Sequence, residues 1–237
     1  MRDMSLVMPY YMNSEMLRTH QDAWSAFPVA LAEHLHVIIV DDGSPKAKAC
    51  DVWLPPRHIA SARLYRTQVD VRWNWLFCRN LAMSEATTEW ALMTDIDHLL
   101  PEETLRSLLT RDLDPREVYR LARVDAPNLT PYKIHPNTWL MTRAMYDSIG
   151  GYDERFSGYY GSDGDFRDRV QSKARAIVYL SDVLIRYPRS VLPDASTTTY
   201  GRKEEQDGIA VPRIRAERDR LGSWKTLRLT FPWERLC

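Results

Sequence analysis

The chain has 237 residues, 44% of them apolar, enough to bury a full core at the upper size of one domain. Thirty-two Lys and Arg balance thirty-two Asp and Glu, which excludes a global field drawing the protein to nucleic acid or anionic membrane. Cys50, Cys78 and Cys237 are odd in number and form no C-x-x-C, which argues against a disulfide framework and zinc and for a reducing, cytoplasmic setting.

Along the chain, short apolar runs alternate with segments of helical period, the pattern of an α/β domain with a largely parallel sheet. The first run, residues 5–8, is closed by Pro9 and is too short for a signal-peptide core or a membrane span. Further strands are predicted over 36–40, 62–66, 90–94, 118–123, 138–142 and 176–180. Helices are predicted over 14–35 with a break at Pro28, over 73–86, over 101–109 with a Pro-Glu-Glu start, and over 143–149, ended by Gly150-Gly151. From Arg189 onward no clear period remains, so 1–187 is expected to be the catalytic domain and 188–237 a basic wrap or lid on it. No stretch reaches the roughly 20 apolar residues of a membrane helix.

Three constellations carry chemistry. The apolar run 37–40 ends in Asp41-Asp42-Gly43-Ser44, and carboxylates at a strand's carboxyl end can accept hydrogen bonds from a nucleobase or ribose; the bland alternative is an Asp-Gly-Ser turn. The run 90–94 ends in Asp95-Ile96-Asp97, two acids that extended backbone would project to one side. Paired hard oxygens with room for phosphate and water suit Mg²⁺ or Mn²⁺ under a diphosphate; a solvated turn is the alternative. A third stretch mixes glycine, aromatics and acids, with Trp139 ahead of Tyr159-Tyr160-Gly161-Ser162-Asp163-Gly164-Asp165. Tyr159 and Tyr160 suit stacking on a sugar, and Asp163 or Asp165 suits removal of a proton from an acceptor hydroxyl, unless the acids simply cap a helix over 166–170.

Met8-Pro9-Tyr10-Tyr11, Val40-Asp41-Asp42-Gly43-Ser44, Arg79-Asn80-Leu81-Ala82, Asp95-Ile96-Asp97, Gly150-Gly151-Tyr152-Asp153-Glu154 and Gly161-Ser162-Asp163-Gly164-Asp165-Phe166 follow one another in order. In that order they resemble the GT-A fold, family-2-type inverting glycosyltransferases typified by bacterial polysaccharide and cellulose synthases. The resemblance covers residues 5 to about 170 and implies a metal-dependent transfer from a nucleotide-diphosphate sugar, with uridine diphosphate the family's commonest carrier. It implies donor contacts from Pro9, Tyr10, Tyr11, Asp41, Asp42, Arg79, Asn80 and Asp95, and metal contacts from Asp95 and Asp97. Asp163 falls at the family's catalytic base, and Trp139, Tyr159, Tyr160, Ser162 and Asp165 fall on the acceptor side. Ser162 replaces an acid usual in the family, and no histidine follows the base motif as a third metal ligand, His135 being the last in the chain. Absence of Q-x-x-R-W and of membrane helices argues against a processive synthase.

Trp73 and Trp75 are expected to be core, and His98 a cap or surface residue. The stretch 201–237 holds nine Lys or Arg against six Asp or Glu, including Arg213, Arg215, Arg218 and Arg220, the one hint of a polyanionic partner. The expected acceptor is a glycan, with hydroxymethylated DNA as the alternative. A nucleotidyltransferase would need a glycine-rich loop after the first strand, which Met8-Pro9-Tyr10-Tyr11 is not. An inactive nucleotide-sugar-binding module is the remaining reading.

Overall fold

The computed structural model describes residues 1–159, 161–197, 210–220 and 226–237. Its elements in chain order begin with β1 (Met4–Tyr10), α1 (Ser14–Ser25), α2 (Val29–Ala32), β2 (Leu35–Asp41), β3 (Ser61–Thr67), α3 (Trp75–Glu85) and β4 (Trp90–Met93). They continue with β5 (His98–Leu99), α4 (Glu102–Thr110), β6 (Val118–Asp125), β7 (Thr130–Tyr132), β8 (Trp139–Thr142) and α5 (Arg143–Ile149). The chain closes with α6 (Ser162–Lys173), β9 (Ile177–Arg186), α7 (Ala210–Arg220) and β10 (Trp233–Arg235).

β1 is apolar at almost every position and every residue of it is buried, as a central strand covered on both faces must be. Alternation sends Leu6 and Met8 to one core, with Trp24, Val37 and Leu92, and Val7 to the other, with Ile38, Met93, Leu81 and Phe166. Each large apolar side chain so buried stabilises the fold by about 1.5–3 kcal/mol. Pro28 breaks the first helical segment as expected and sits at the start of α2, while Gly150 ends α5 in the left-handed conformation.

The strands form one sheet in the order β10-β3-β2-β1-β4-β8-β6-β9-β5, with β7 hydrogen-bonded to β6. β1, β2, β3 and β4 run parallel, and so do β6 and β9; β8 is antiparallel to both β4 and β6, so all six point the same way. The chain builds β1, β2 and β3 outward on one side and then places β4 on the other side of β1. That reversal opens a crevice at the carboxyl ends of β1 and β4, where ligands of such sheets gather.

β5 and β7 are absent from the predicted elements, α6 figures there only as an alternative over 166–170, and two further regions depart from expectation. β9 runs on to Arg186 because a bulge takes up Ser181-Asp182: Leu180 pairs with Leu121, and Val183 with the next residue, Ala122. The tail, expected to be without period, holds α7 and the edge strand β10, which pairs antiparallel with β3 and covers that edge of the sheet. It is tied down by Glu154, which is 4% exposed and accepts from Asn80 Nδ2, Leu229 N and Thr230 N, each at 2.7 Å. Residues 226–237 thus lie against β3 and Glu154; residues 198–209 and 221–225 lie outside the described residues. Among the described residues no helix is long and apolar enough to cross a membrane.

Candidate active site

A cavity of about 570 Å³ opens at this carboxyl edge. Pro9, Tyr10 and Tyr11 reach it from the end of β1, Asp42 from β2, Asp95 and Asp97 from β4, and Asp163 from the first turn of α6. Residues 187–189 and 195–197 also line it, tied in by two bonds: Tyr187 N donates to Asp97 O at 2.8 Å, and Thr197 Oγ1 donates to Tyr11 O. Between them Asp194 caps α1 from far away in sequence, its carboxylate accepting from Glu15 N at 2.6 Å and Met16 N at 3.1 Å.

Asp95 and Asp97 share the cavity for a reason other than strand alternation. β4 ends at Met93, and the acids lie in a turn closed by His98 N to Asp95 O at 3.1 Å. Each part of that turn is held by a histidine. His20 Nε2 donates to Ile96 O at 2.7 Å, His135 Nε2 lies 3.2 Å from Asp95 Oδ2, and His98 Nδ1 lies 2.5 Å from Asp97 Oδ1. Arg123 Nη1 sits 3.0 Å from His98 Nε2; a guanidinium only donates, so Nε2 accepts and the ring proton is on Nδ1, facing Asp97. Burial pushes His20 down to about 4, so it is neutral at physiological pH.

Asp95 also receives Arg79 Nη2 at 2.5 Å. Burial works against its charge, yet His135 and Arg79 outweigh burial and hold its carboxyl well below the usual range. His135 is itself pushed down by burial, against the pull of Asp95. Arg79 is buried beneath the cavity, bonded to Asn137 O and Tyr152 OH and lying over Trp75 at 5.0 Å, so it reaches a ligand only through Asp95. Trp75 packs edge-on to Tyr152 and, with Trp73, also lines the cavity, so the pure packing expectation for both was too narrow.

Other expected site residues are placed elsewhere. Asp41 is fully buried and spends its oxygens on Ser44 N at 2.8 Å and Ala49 N at 2.9 Å; it shapes the turn and leaves Asp42 to the cavity. Gly43 makes that turn possible: at φ +69°, an added Cβ would sit 2.3 Å from Val69 O. Asn80 is buried and joins Tyr146 OH, Tyr152 and Glu154, a strut rather than a donor contact. Trp139 is fully buried under the guanidinium of Arg120 at 4.0 Å. Ser162 is 3% exposed, and Tyr159 packs against the core that holds Phe166. Asp165 is 2% exposed between Arg169, at 3.0 Å, and Arg218, because one turn of α6 aims Asp163 outward and Asp165 inward. Tyr160 lies outside the described residues.

The tail's basic character is partly internal. Arg218 is spent on Asp165 and Arg228 on Asp147 at 2.9 Å, which removes part of the support for a polyanion on the tail. The cations that face the cavity are Arg123, Lys133, Arg186 and Arg189, none of which the sequence reading singled out. Nor did it find His20 or His135, and it set His98 aside. A signal existed for Arg123 and Arg186: like the acids, they close apolar strands, but β9 was cut short at Leu180. The histidines are brought in from α1 and the loop before β8, with no spacing to betray them.

No protein-family model matches this chain, and no curated protein matches it by sequence. Solved structures match it in fold. S. aureus TarS 1–349 in complex with UDP-GlcNAc superposes with a TM-score of 0.62 at 16% identity, over 82% of this chain and 61% of that one. A mannosyltransferase from Pyrobaculum calidifontis, in complex with GDP-Man and Mn²⁺, gives 0.56 at 18% identity, over 78% of this chain and 56% of that one. This chain thus matches less than two thirds of the length of either. The fold is the GT-A type of nucleotide-sugar glycosyltransferases.

Proposed function

We propose that this chain is an inverting glycosyltransferase that moves a sugar from a nucleotide-diphosphate donor, of the UDP type, to a hydroxyl of an acceptor glycan. The observation that carries the reading is that Asp95 and Asp97, from the turn after β4, and Asp163, from the start of α6, line one cavity at the sheet's switch point. The likeness in fold to structures holding UDP-GlcNAc and GDP-Man supports it.

Pro9, Tyr10, Tyr11 and Asp42 would take the nucleoside end, at the carboxyl ends of β1 and β2. Asp95 and Asp97 would hold Mg²⁺ or Mn²⁺. Among the described residues no group of three or more His, Cys, Asp or Glu forms a ready-made metal site. Two carboxylates that keep 34% and 17% of their side-chain surface, on the cavity, fit a hard cation whose other ligands come from a diphosphate and water. When bound, such a cation supplies charge neutralisation at the departing diphosphate. Asp163 then takes the proton of the acceptor hydroxyl as its oxygen attacks the anomeric carbon, and the carbon–diphosphate bond breaks on the opposite face.

The test is release of nucleoside diphosphate from a panel of nucleotide sugars with Mg²⁺ or Mn²⁺, with and without acceptors. Metal-dependent release that an acceptor stimulates is expected. Binding of nucleotide sugar without any turnover would instead favour an inactive binding module, and release of pyrophosphate from a nucleoside triphosphate would favour a nucleotidyltransferase.

A further inference from the structure

The cavity's far wall differs from its floor. It is built from the carboxyl ends of β6 and β9 and from β7, and it presents Arg123, Lys133 and Arg186 around one tyrosine. The guanidinium carbons of Arg186 and Arg123 lie 4.1 Å and 4.7 Å from the Tyr132 ring centre, and Lys133 Nζ lies 6.0 Å from it. Tyr132 itself is 41% exposed. An aromatic face eases the gathering of like charges but does not cancel them. Asp125 takes up Arg186 at 2.6 Å, while Arg123, 5% exposed, meets the neutral acceptor nitrogen of His98. Burial, joined by the neighbouring Arg186, pushes Arg123 below its usual pKa against the pull of Asp97 and Asp125.

We propose that Arg123, Lys133 and Arg186 around Tyr132 form a subsite for a phosphate group carried by the acceptor. The proposal rests on the transferase reading and names its substrate class. In sheet order this wall lies beyond β4 and β8 from β1 and β2, so a donor laid from the nucleoside end across Asp95 and Asp97 has its diphosphate behind it. What lies ahead, past the sugar and Asp163, is the acceptor. Two guanidiniums and an ammonium gathered around one cavity-lining tyrosine match a tetrahedral, multiply charged oxyanion better than a neutral glycan.

The experiment separates an acceptor phosphate from the donor's own diphosphate. Inorganic phosphate is titrated into the full chain saturated with UDP and Mg²⁺, followed by calorimetry. Saturable phosphate binding is expected, weakened at least tenfold in Lys133→Ala/Arg186→Gln, with UDP affinity unchanged within twofold. Lys133→Ala alone, at an exposed position, is expected to weaken phosphate binding several-fold, which keeps the result independent of folding damage at Arg186. Absence of phosphate binding, binding that the variants leave unchanged, or UDP affinity falling in step with it overturns the subsite. Failure of wild type to bind UDP would overturn the transferase reading instead. Phosphate titrated alone would then decide the subsite by the same comparison of variants.

Discussion

The carboxyl edge of the sheet has an acidic half, at the ends of β1, β2 and β4, and a basic half, at the ends of β6 and β9. In the acidic half each exposed carboxylate is backed by a partner on its far side: Arg79 and His135 behind Asp95, and His98 behind Asp97. In the basic half one carboxylate, Asp125, backs one of three cations gathered on Tyr132. The difference teaches that one half fixes its carboxylates beside basic side chains, and the other gathers positive charge toward the cavity. Arg123 links the two, since it meets His98 Nε2 while His98 Nδ1 lies 2.5 Å from Asp97 Oδ1.

The contrast can be broken at its strongest point first. Asp163→Asn should lower turnover by about 10²–10⁴-fold while UDP affinity holds; a turnover equal to wild type sinks the base assignment. Asp165→Ala tests whether every acid here belongs to the chemistry. Leaving Arg169 and Arg218 buried without their carboxylate should cost roughly 3–5 kcal/mol in a denaturant melt, with the donor KM of the folded fraction unchanged. A raised KM without loss of stability would return Asp165 to the acceptor site.

His98→Ala should weaken Mn²⁺ affinity about 10–100-fold, read by the paramagnetic signal of free Mn²⁺ in the presence of UDP. Unaltered Mn²⁺ affinity would reduce His98 to packing. The smallest effect is one of pH. His20 titrates near 4 in the fold against about 6.5 unfolded, so the unfolded chain takes up its proton first. Stability from this group is present above pH 6.5 and is lost as pH falls toward 4, about 2 kcal/mol of it by pH 5. His20→Gln should flatten that part of the pH–stability curve; an unchanged slope would show that other groups carry it.

Sequence alone located β1, β2, β3, β4, β6 and β8 to within one or two residues: β1, β2, β4 and β8 are buried almost throughout and read as short apolar runs, while β3 and β6 show through their aliphatic and aromatic residues. It also brought Asp42, Asp95 and Asp97 forward, because polar groups that abruptly end an apolar run mark the change from core to cavity, and Asp163 from a stretch dense in glycine, aromatics and acids. It did not separate Asp163 from Asp165 except by resemblance. Two acids two residues apart look alike until a helix turn points one at solvent and the other at Arg169. Nor did it reveal the three histidines around the Asp95–Asp97 turn, the clamp of Glu154 on the tail, or the cations around Tyr132. Those depend on which strand lies beside which, and sheet order is set by packing over distances that local period does not encode. The sequence by itself determined where the chain turns from core to chemistry; the tertiary structure decided which charges meet there, because burial and pairing are properties of neighbours in space.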